Sequence, residues 1–187
     1  KQGLRKYILM YRKMLDAQVY IKRNHQIQNH CLALMEHLNI QCFHTYLAIE
    51  KNKEPETQTI IQASWVFGRK VLISKIDFHK RSMSHHTYEA TDKIQVNNFG
   101  IPEPFYENFA SINGLQAILV PLLVVDKKGN RMGYGKGFYD ELLAKISYMK
   151  IQKIGLCMSS LLDLIPYVEE HDVALDYCIT PHKVYRF

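Results

Sequence analysis

Residues 116–144 read QAILVPLLVVDKKGNRMGYGKGFYDELLA. The apolar run 117–125 predicts a buried strand, interrupted only by a proline near its centre. A charged turn follows at 126–130, and a glycine-rich segment at 133–137 leads into a helical pattern of apolar residues at 138–146. Strand, glycine loop and helix in this order are typical of an anion-binding site. Glycine lets backbone N–H groups face a phosphate, and a helix N-terminus adds partial positive charge.

The glycines do not match either of the widespread phosphate-binding motifs. A Walker A loop needs Ser or Thr after its Gly-Lys pair, but Gly137 follows Lys136. A dinucleotide-binding fingerprint needs a third glycine at the place that Phe138 occupies. A glycine-rich turn without a ligand therefore remains an alternative on the local pattern alone.

Composition limits the class of protein. The 187 residues are 47% hydrophobic and 22% charged, which is ordinary for one globular domain spanning 1–187. No apolar run approaches the roughly 18 residues of a membrane span, and the polar, basic N-terminus argues against a signal peptide. The net charge of +6 suits a polyanionic small ligand, while no basic cluster interleaved with aromatics indicates nucleic-acid binding. We expect a cytoplasmic monomer with no nucleic-acid or membrane partner, and with reduced cysteines at Cys31, Cys42, Cys157 and Cys178.

The order of the predicted elements indicates an α/β fold. Apolar spacing predicts helices at 3–15 and 18–38, then a strand at 43–49. A helix at 57–67, capped by its first residue, Thr57, and a strand at 70–74 follow. This alternation favours a largely parallel central sheet flanked by helices. Later elements are a helix or turn at 161–165 and strands at 153–158 and 174–180.

Two segments carry polar residues that could be functional or merely solvated. Residues 75–95 are irregular, and we interpret their histidines His79, His85 and His86 as surface or loop residues rather than a metal site. In the first helix, Lys1 and Arg5 stand four residues apart and could jointly face an anion. A solvated basic face that also includes Arg12 is the alternative.

The motif in 116–144 is similar to the signature V-P-x4-D-x2-G-x-R-x-G-x-G-x-G-Y-Y-D. The chain therefore resembles the 5-formyltetrahydrofolate cyclo-ligase family, also called 5,10-methenyltetrahydrofolate synthetases. Further matching pieces are Lys1-x3-Arg5, Glu54 with Thr57, Gly100-Ile101-x-Glu103-Pro104 and His171-Asp172. Three positions depart from the family pattern. Phe138 replaces a Tyr, Ser74 stands where Pro is expected, and residues 157–161 lack the usual Gln.

The resemblance implies a fold, a reaction and a set of site residues. The fold is a three-layer α/β domain of the kind seen in sugar isomerases and CoA transferases. The reaction closes 5-formyltetrahydrofolate to 5,10-methenyltetrahydrofolate with ATP and Mg²⁺, through a phosphorylated formyl group, and forms a C–N bond. Catalytic cations are implied at Lys136 and Arg131, and metal-binding carboxylates at Asp140 and Asp172. The implied ATP-binding residues are Lys1, Arg5, Arg131, Met132, Gly133, Tyr134, Gly135, Lys136, Gly137, Phe138 and Tyr139. The implied folate-binding residues are Leu47, Glu54, Tyr134, Gly135, Lys136, Gly137 and Phe138.

Two other functions remain open on the sequence. The chain could bind folate or nucleotide without catalysis, although Arg131, Lys136 and Asp140 argue against a lost activity. It could also act as an isomerase of sugar phosphates, which needs an acid–base carboxylate but no ATP. Dependence on nucleotide separates this second alternative from the cyclo-ligase.

Overall fold

The computed structural model describes residues 1–169 and 172–187, which form a mixed α/β structure. Its helices are α1 (Gln2–Lys13), α2 (Ala17–His37), α3 (Gln58–Val66) and α4 (Phe138–Lys145). The first strands are β1 (Cys42–Thr45), β2 (Lys70–Asp77), β3 (Ser82–Thr87), β4 (Ile94–Val96) and β5 (Pro102–Pro104). The remaining strands are β6 (Ala117–Pro121), β7 (Val124–Val125), β8 (Arg131–Met132), β9 (Gln152–Leu156), β10 (Tyr177–Ile179) and β11 (Val184–Arg186).

The central sheet has the strand order β11-β10-β9-β6-β1-β2-β3. Its five inner strands are parallel, and the two edge strands β11 and β3 are antiparallel to their neighbours. Phe43 of β1 pairs with Val71 on one side and with Ala117 on the other. The predicted α/β fold with a largely parallel sheet is therefore confirmed.

Both faces of the sheet are covered, which produces three layers. Helices α2 and α3 contribute Ile27 and Ile60 to a cluster that also holds Phe43 of β1. Helix α4 packs Leu143 on the opposite face, where Ile118 of β6 points. Burial of each such side chain contributes about 1.5–3 kcal/mol. Because the inner strands are covered on both faces, apolar residues follow one another along them, which explains the continuous hydrophobic runs in the sequence. Within the described residues, no helix has the length and apolarity that a membrane crossing requires.

Helix α1 is placed as predicted, but it presents a different face to the protein. Leu4 and Ile8 pack beside a small apolar cluster, whereas Tyr11, which stands at the same helical spacing, is about half exposed. Arg12, expected on a solvated basic face, is only 2% exposed. The difference arises because backbone carbonyls of two other segments lie within reach of its guanidinium.

The segment 75–95 was wrongly predicted to be irregular. Strand β2 continues to Asp77, and β3 pairs back onto it in antiparallel register, with Ile73 opposite His86. The Asp77 carboxylate accepts hydrogen bonds from the backbone N–H groups of His79 and Lys80 and so stabilises the turn. His86 is buried and His85 is half-buried, so only His79 is the exposed histidine that we expected.

Smaller differences concern element ends. The Thr57 hydroxyl does not cap α3 but donates to the carbonyl of Tyr46 at 2.7 Å, while the Glu56 carboxylate accepts from the first N–H groups of the helix. Residues 161–165, predicted as a helix or turn, contain no helix, and Leu162 makes an isolated parallel bridge to Asp126. The last predicted strand is followed by β11, which the sequence pattern did not indicate. The cysteines are free; Cys42 is half-buried and the other three are buried.

Candidate active site

A cavity of about 580 Å³ lies at the carboxyl ends of the parallel strands. Tyr46 and Leu47 line it directly after β1, and Pro121 lines it at the end of β6. This edge of an open α/β sheet is where such folds generally bind ligands. All the site residues predicted from the sequence lie on its wall, namely Lys1, Arg5, Leu47, Glu54, Arg131, Met132, Gly133, Tyr134, Gly135, Lys136, Gly137, Phe138, Tyr139, Asp140 and Asp172.

The glycine loop between β8 and α4 has the backbone conformation that its sequence requires. Gly135 and Gly137 have φ angles of +81° and +82°, which residues with a side chain adopt only with strain. Arg5 of α1 donates from Nε to the carbonyl of Gly133 at 3.1 Å. A Cβ at position 135 would lie 2.8 Å from the Arg5 guanidinium carbon. The Arg5 guanidinium lies in the space that a side chain at position 135 would take, so a positive charge lies against the loop directly before the N-terminus of α4.

Arg131 and Asp140 form an ion pair at the base of this loop. The Arg131 side chain is 5% exposed and that of Asp140 is 38% exposed. Arg131 also donates to the carbonyl of Val173, and burial lowers its pKa, against the opposing effects of Asp140 and Asp172. Arg131 is thus a buried cation that is paired with Asp140, which lines the cavity, and that the charge of Asp172 also stabilises.

The amino-terminal end of α1 contributes a second charged group. The Lys1 ammonium lies 2.6 Å from the Glu169 carboxylate and 3.7 Å from that of Asp172. The Asp172 carboxylate also accepts a hydrogen bond from the backbone N–H of Glu169 at 2.9 Å. His171, which the resemblance pairs with Asp172, lies outside the described residues. Lys136 is exposed on the glycine loop and lines the cavity.

A buried polar cluster supports the opposite wall. Glu54 is 3% exposed, and its carboxylate accepts from the backbone N–H of Ile49 at 2.6 Å. Burial raises the pKa of Glu54, while the N–H of Ile49, the Tyr134 hydroxyl and the charge of Arg12 oppose that rise. Burial beside Glu54 also raises the pKa of Tyr134, so its phenol stays protonated and donates to the carboxylate.

Arg12 links this cluster to the rest of the fold, although the sequence pattern did not indicate it as a site residue. Its guanidinium donates to the carbonyl of Asn52 at 2.8 Å, to that of Leu122 at 3.1 Å and to the Tyr134 hydroxyl. One signal was available, because Arg12 stands seven residues after Arg5 and so falls on the same face of the helix two turns later.

An aromatic wall, Phe99–Phe78–Phe138, runs from the far rim of the cavity to the glycine loop. The ring centroids of Phe99 and Phe78 are 4.1 Å apart, and those of Phe78 and Phe138 are 5.4 Å apart. Only Phe138 was predicted to lie at the site. Phe78 and Phe99 come from the segments 75–95 and 96–101, whose sequence shows no motif that points to a pocket.

Asp140 and Asp172 are the carboxylates on the cavity wall that could hold a Mg²⁺ ion together with phosphate oxygens. No group of three or more His, Cys, Asp or Glu side chains suited to a metal occurs within residues 1–169 and 172–187. Mg²⁺ does not need one, since it often takes one or two carboxylates and fills its other positions with phosphate and water. The side chains of Asp140 and Asp172 are both partly exposed on the cavity wall, and both carboxylates raise the pKa of Arg131.

The buried His44 and the half-buried His85 form a pair behind the glycine loop. The rings of His44 and His85 are 5.1 Å apart in an edge-to-face arrangement, and that of Tyr139 is 6.3 Å from His44. Neither ring nitrogen of His44 has a hydrogen-bond partner among the described residues. Burial, with a smaller effect of His85, lowers the pKa of His44 to about 3. His44 is therefore neutral near pH 7, and it belongs to the packing beneath the site.

The fold and the site together define an α/β protein with a cavity at the carboxyl edge of its sheet, lined by a glycine loop and by charged side chains of both signs. The family model of the 5-formyltetrahydrofolate cyclo-ligases matches residues 1–181, and the chain belongs to that family.

Relatives and solved structures are consistent with this membership. A probable 5-formyltetrahydrofolate cyclo-ligase of Schizosaccharomyces pombe is 30% identical over 150 residues, which cover 72% of each chain. The 5-formyltetrahydrofolate cyclo-ligase of Mus musculus is 25% identical over 186 residues, covering 94% of this chain and 91% of the mouse protein. The structure of Aquifex aeolicus 5,10-methenyltetrahydrofolate synthetase has a TM-score of 0.82 at 23% identity, covering 99% of this chain and 91% of the other. This structural similarity shows the shared fold.

Proposed function

We propose that the chain cyclises 5-formyltetrahydrofolate to 5,10-methenyltetrahydrofolate, with Mg²⁺ and with conversion of ATP to ADP and phosphate. One observation carries the proposal. The nucleotide, folate and metal positions implied by the family motif come from α1, the segment 46–54, the glycine loop and the segment after β9, yet they meet on one cavity.

The reaction needs positioning and charge stabilisation more than a protein nucleophile. The formyl oxygen attacks the γ-phosphorus of ATP, and the bond from that phosphorus to the bridging oxygen breaks to release ADP. N10 of the folate then attacks the activated formyl carbon, N10 gives up its proton, and the C–O bond breaks to release phosphate. Cations and backbone N–H groups that face the transferred phosphoryl group lower the barrier of such a step.

The glycine loop and its cations suit the phosphates. Lys136 is exposed at the loop and contacts the transferred group in our proposal, while Arg5 lies against Gly135 and adds charge from the other side. Arg131 is buried, so its contribution is a fixed positive potential and the orientation of Asp140. Lys1 is held by Glu169 and Asp172 at the same rim, and it joins Arg5 in the nucleotide site.

Asp140 and Asp172 would hold Mg²⁺ together with phosphate oxygens and water. The ion would neutralise charge on the phosphates during transfer. Arg131 keeps one oxygen of Asp140 occupied and leaves the partly exposed side chain at the rim. The chain's own contribution is therefore two oriented carboxylates next to the loop.

The opposite wall suits the folate. The carboxylate of Glu54 is buried and prearranged by Ile49 and Tyr134, so it can accept hydrogen bonds from N–H groups of a pterin. Leu47 and Phe138 supply apolar contact to a flat ring. Residues 1–187 would act as one catalytic domain and as a cytoplasmic monomer.

Absorbance at the methenyl-folate band tests the proposal. The protein is mixed with 5-formyltetrahydrofolate, ATP and Mg²⁺, and with mixtures that lack one component each. We expect a signal that requires all three components and releases one phosphate per product. A signal without nucleotide, or none in the complete mixture, would contradict the proposed reaction.

A further inference from the structure

Lys51 occupies a place on the cavity rim that the family motif does not assign. It lies in the 3-10 turn Glu50–Asn52, is exposed, and lines the cavity. Its ammonium donates to the carbonyl of Phe99 at 3.4 Å, across the mouth of the cavity. Within the described residues, no carboxylate lies within the 4.0 Å that defines an ion pair with Lys51, in contrast to the paired cations Lys1 and Arg131.

Both sides of this contact are held in place. On one side, the carbonyl of Asn52 accepts a hydrogen bond from Arg12, and the N–H of Ile49 donates to Glu54. On the other side, the Asn97 side chain accepts from the N–H groups of Phe99 and Ile101 at 3.0 and 3.1 Å. The backbone on both sides is therefore held in place, and the exposed Lys51 side chain spans the gap between the two segments.

Gly100 makes the approach possible. Its φ angle is +75°, and a Cβ at this position would collide with the Lys51 ammonium. Glycine adopts this φ angle without strain, and it leaves open the space that the Lys51 ammonium occupies in the structure.

The aromatic wall connects this charge to the reacting end of the cavity. From the glycine loop it passes through Phe138 and Phe78 to Phe99, whose carbonyl contacts Lys51. The order of groups on the wall is phosphate loop, apolar rings and one cation. The folate substrate has a matching order, with the reacting pterin at one end, a benzoyl ring in the middle and a glutamate with two carboxylates at the other end.

We propose that Lys51 binds the glutamate carboxylates of the folate substrate and so acts as a specificity-determining residue. This inference rests on the proposed function, and it deepens it by assigning the anionic end of the substrate to the rim formed by Lys51 and the Phe99–Gly100 turn. The contact is a charge-assisted hydrogen bond at a partly solvated rim, so it discriminates substrates without contributing to the chemical step.

The test compares wild type and Lys51→Met with 5-formyltetrahydrofolate and with its diamide, in which both glutamate carboxylates are neutral amides. For the natural substrate we expect about a three- to tenfold higher KM in Lys51→Met, with kcat and the KM for ATP changed by less than about twofold. For the diamide we expect equal KM values in the two proteins, because the interacting charge is gone from the ligand. Lys150→Met, which removes an exposed lysine outside the cavity wall, is the control and should leave every constant unchanged.

Calorimetric titration of folate in the absence of ATP makes the result independent of turnover. A Lys51-dependent Kd for the natural substrate alone would support the contact even in a protein without cyclisation activity, in which case only the proposed reaction fails. Active wild type with an unchanged KM in Lys51→Met would overturn the inference and leave the reaction standing. An equal loss for the diamide would also overturn it, since the lysine would then act through the cavity wall and not through the carboxylates.

Discussion

Replacement of Arg12 by Met tests the view that one buried guanidinium holds the folate wall together. Methionine keeps the unbranched stem and its packing but removes the three donors to Asn52, Leu122 and Tyr134. It also removes the positive charge that lowers the pKa of the buried Glu54. The substitution therefore leaves two carbonyls and the Tyr134 hydroxyl with fewer partners, and Glu54 without a nearby positive charge.

The magnitude follows from the nature of these contacts. A hydrogen bond from a charged donor contributes about 1.5–3 kcal/mol, and loss of one partner from a buried charged network typically costs about 3–5 kcal/mol. The three bonds share one side chain and do not add independently, so we expect the free energy of unfolding to fall by about 3–5 kcal/mol. This is a large part of the roughly 5–15 kcal/mol that stabilises an ordinary domain.

Urea unfolding followed by circular dichroism measures this loss. Lys13→Met, which changes the exposed neighbour of Arg12 on the same helix, serves as the control and should alter stability by less than about 0.5 kcal/mol. Arg12→Lys keeps the charge without the planar fork and should fall between wild type and Arg12→Met. A loss below about 1 kcal/mol in Arg12→Met would refute the reasoning, because removal of a guanidinium that makes three hydrogen bonds should lower the free energy of unfolding by more than that.

Two further predictions concern the loop and the histidine pair. Lys136→Ala should lower kcat by about 100-fold or more, because the proposed contact of Lys136 forms during phosphoryl transfer. The free energy of unfolding should stay within about 0.5 kcal/mol of wild type, because the side chain is exposed. Steady-state kinetics and urea unfolding measure the two quantities, and normal turnover would exclude Lys136 from the mechanism. His44→Leu should reduce the fall in the free energy of unfolding as the pH is lowered from 7. The pKa of His44 falls from 6.5 to about 3 on folding. Between these two pH values the unfolded state binds a proton at His44 and the folded state does not, so the folded state loses stability as the pH falls toward 3. At pH 5 this effect amounts to about 2 kcal/mol, so wild type should lose about that much more than His44→Leu between pH 7 and pH 5 in urea titrations; parallel losses would show that His44 is protonated in the fold.

The parts of the site that lie within one stretch of sequence were predictable. The glycine loop, its strand and its helix are consecutive, so the positive φ angles of Gly135 and Gly137 and the adjacent Asp140 follow from local pattern. The parallel sheet was equally accessible, because alternating helices and apolar strands leave few other arrangements.

The parts that depend on contacts between distant segments were not predictable from the pattern. Arg12 is a charged residue whose neighbours on the helix are exposed, so its sequence context predicts exposure. Its burial is explained by the carbonyls of Asn52 and Leu122, which are 40 and 110 residues away in the sequence. The hairpin that carries Phe78 has no glycine or proline at its turn, so its sequence gives a weak turn signal. Lys51 is one of many surface lysines until the turn at Gly100 comes next to it.

The way in which α1 is attached has a consequence for motion. Leu4 and Ile8 are its contacts with an apolar cluster, whereas Lys1, Arg5 and Arg12 hold it through charged and polar groups around the cavity. A helix with so little buried apolar surface is a candidate for opening as a separate unit while the sheet stays folded. Its amides should then exchange with deuterium faster than those of β1 and β6. A ligand that bridges Arg5 and the glycine loop would slow this exchange, so occupancy of the cavity would be visible as local protection of the first thirteen residues.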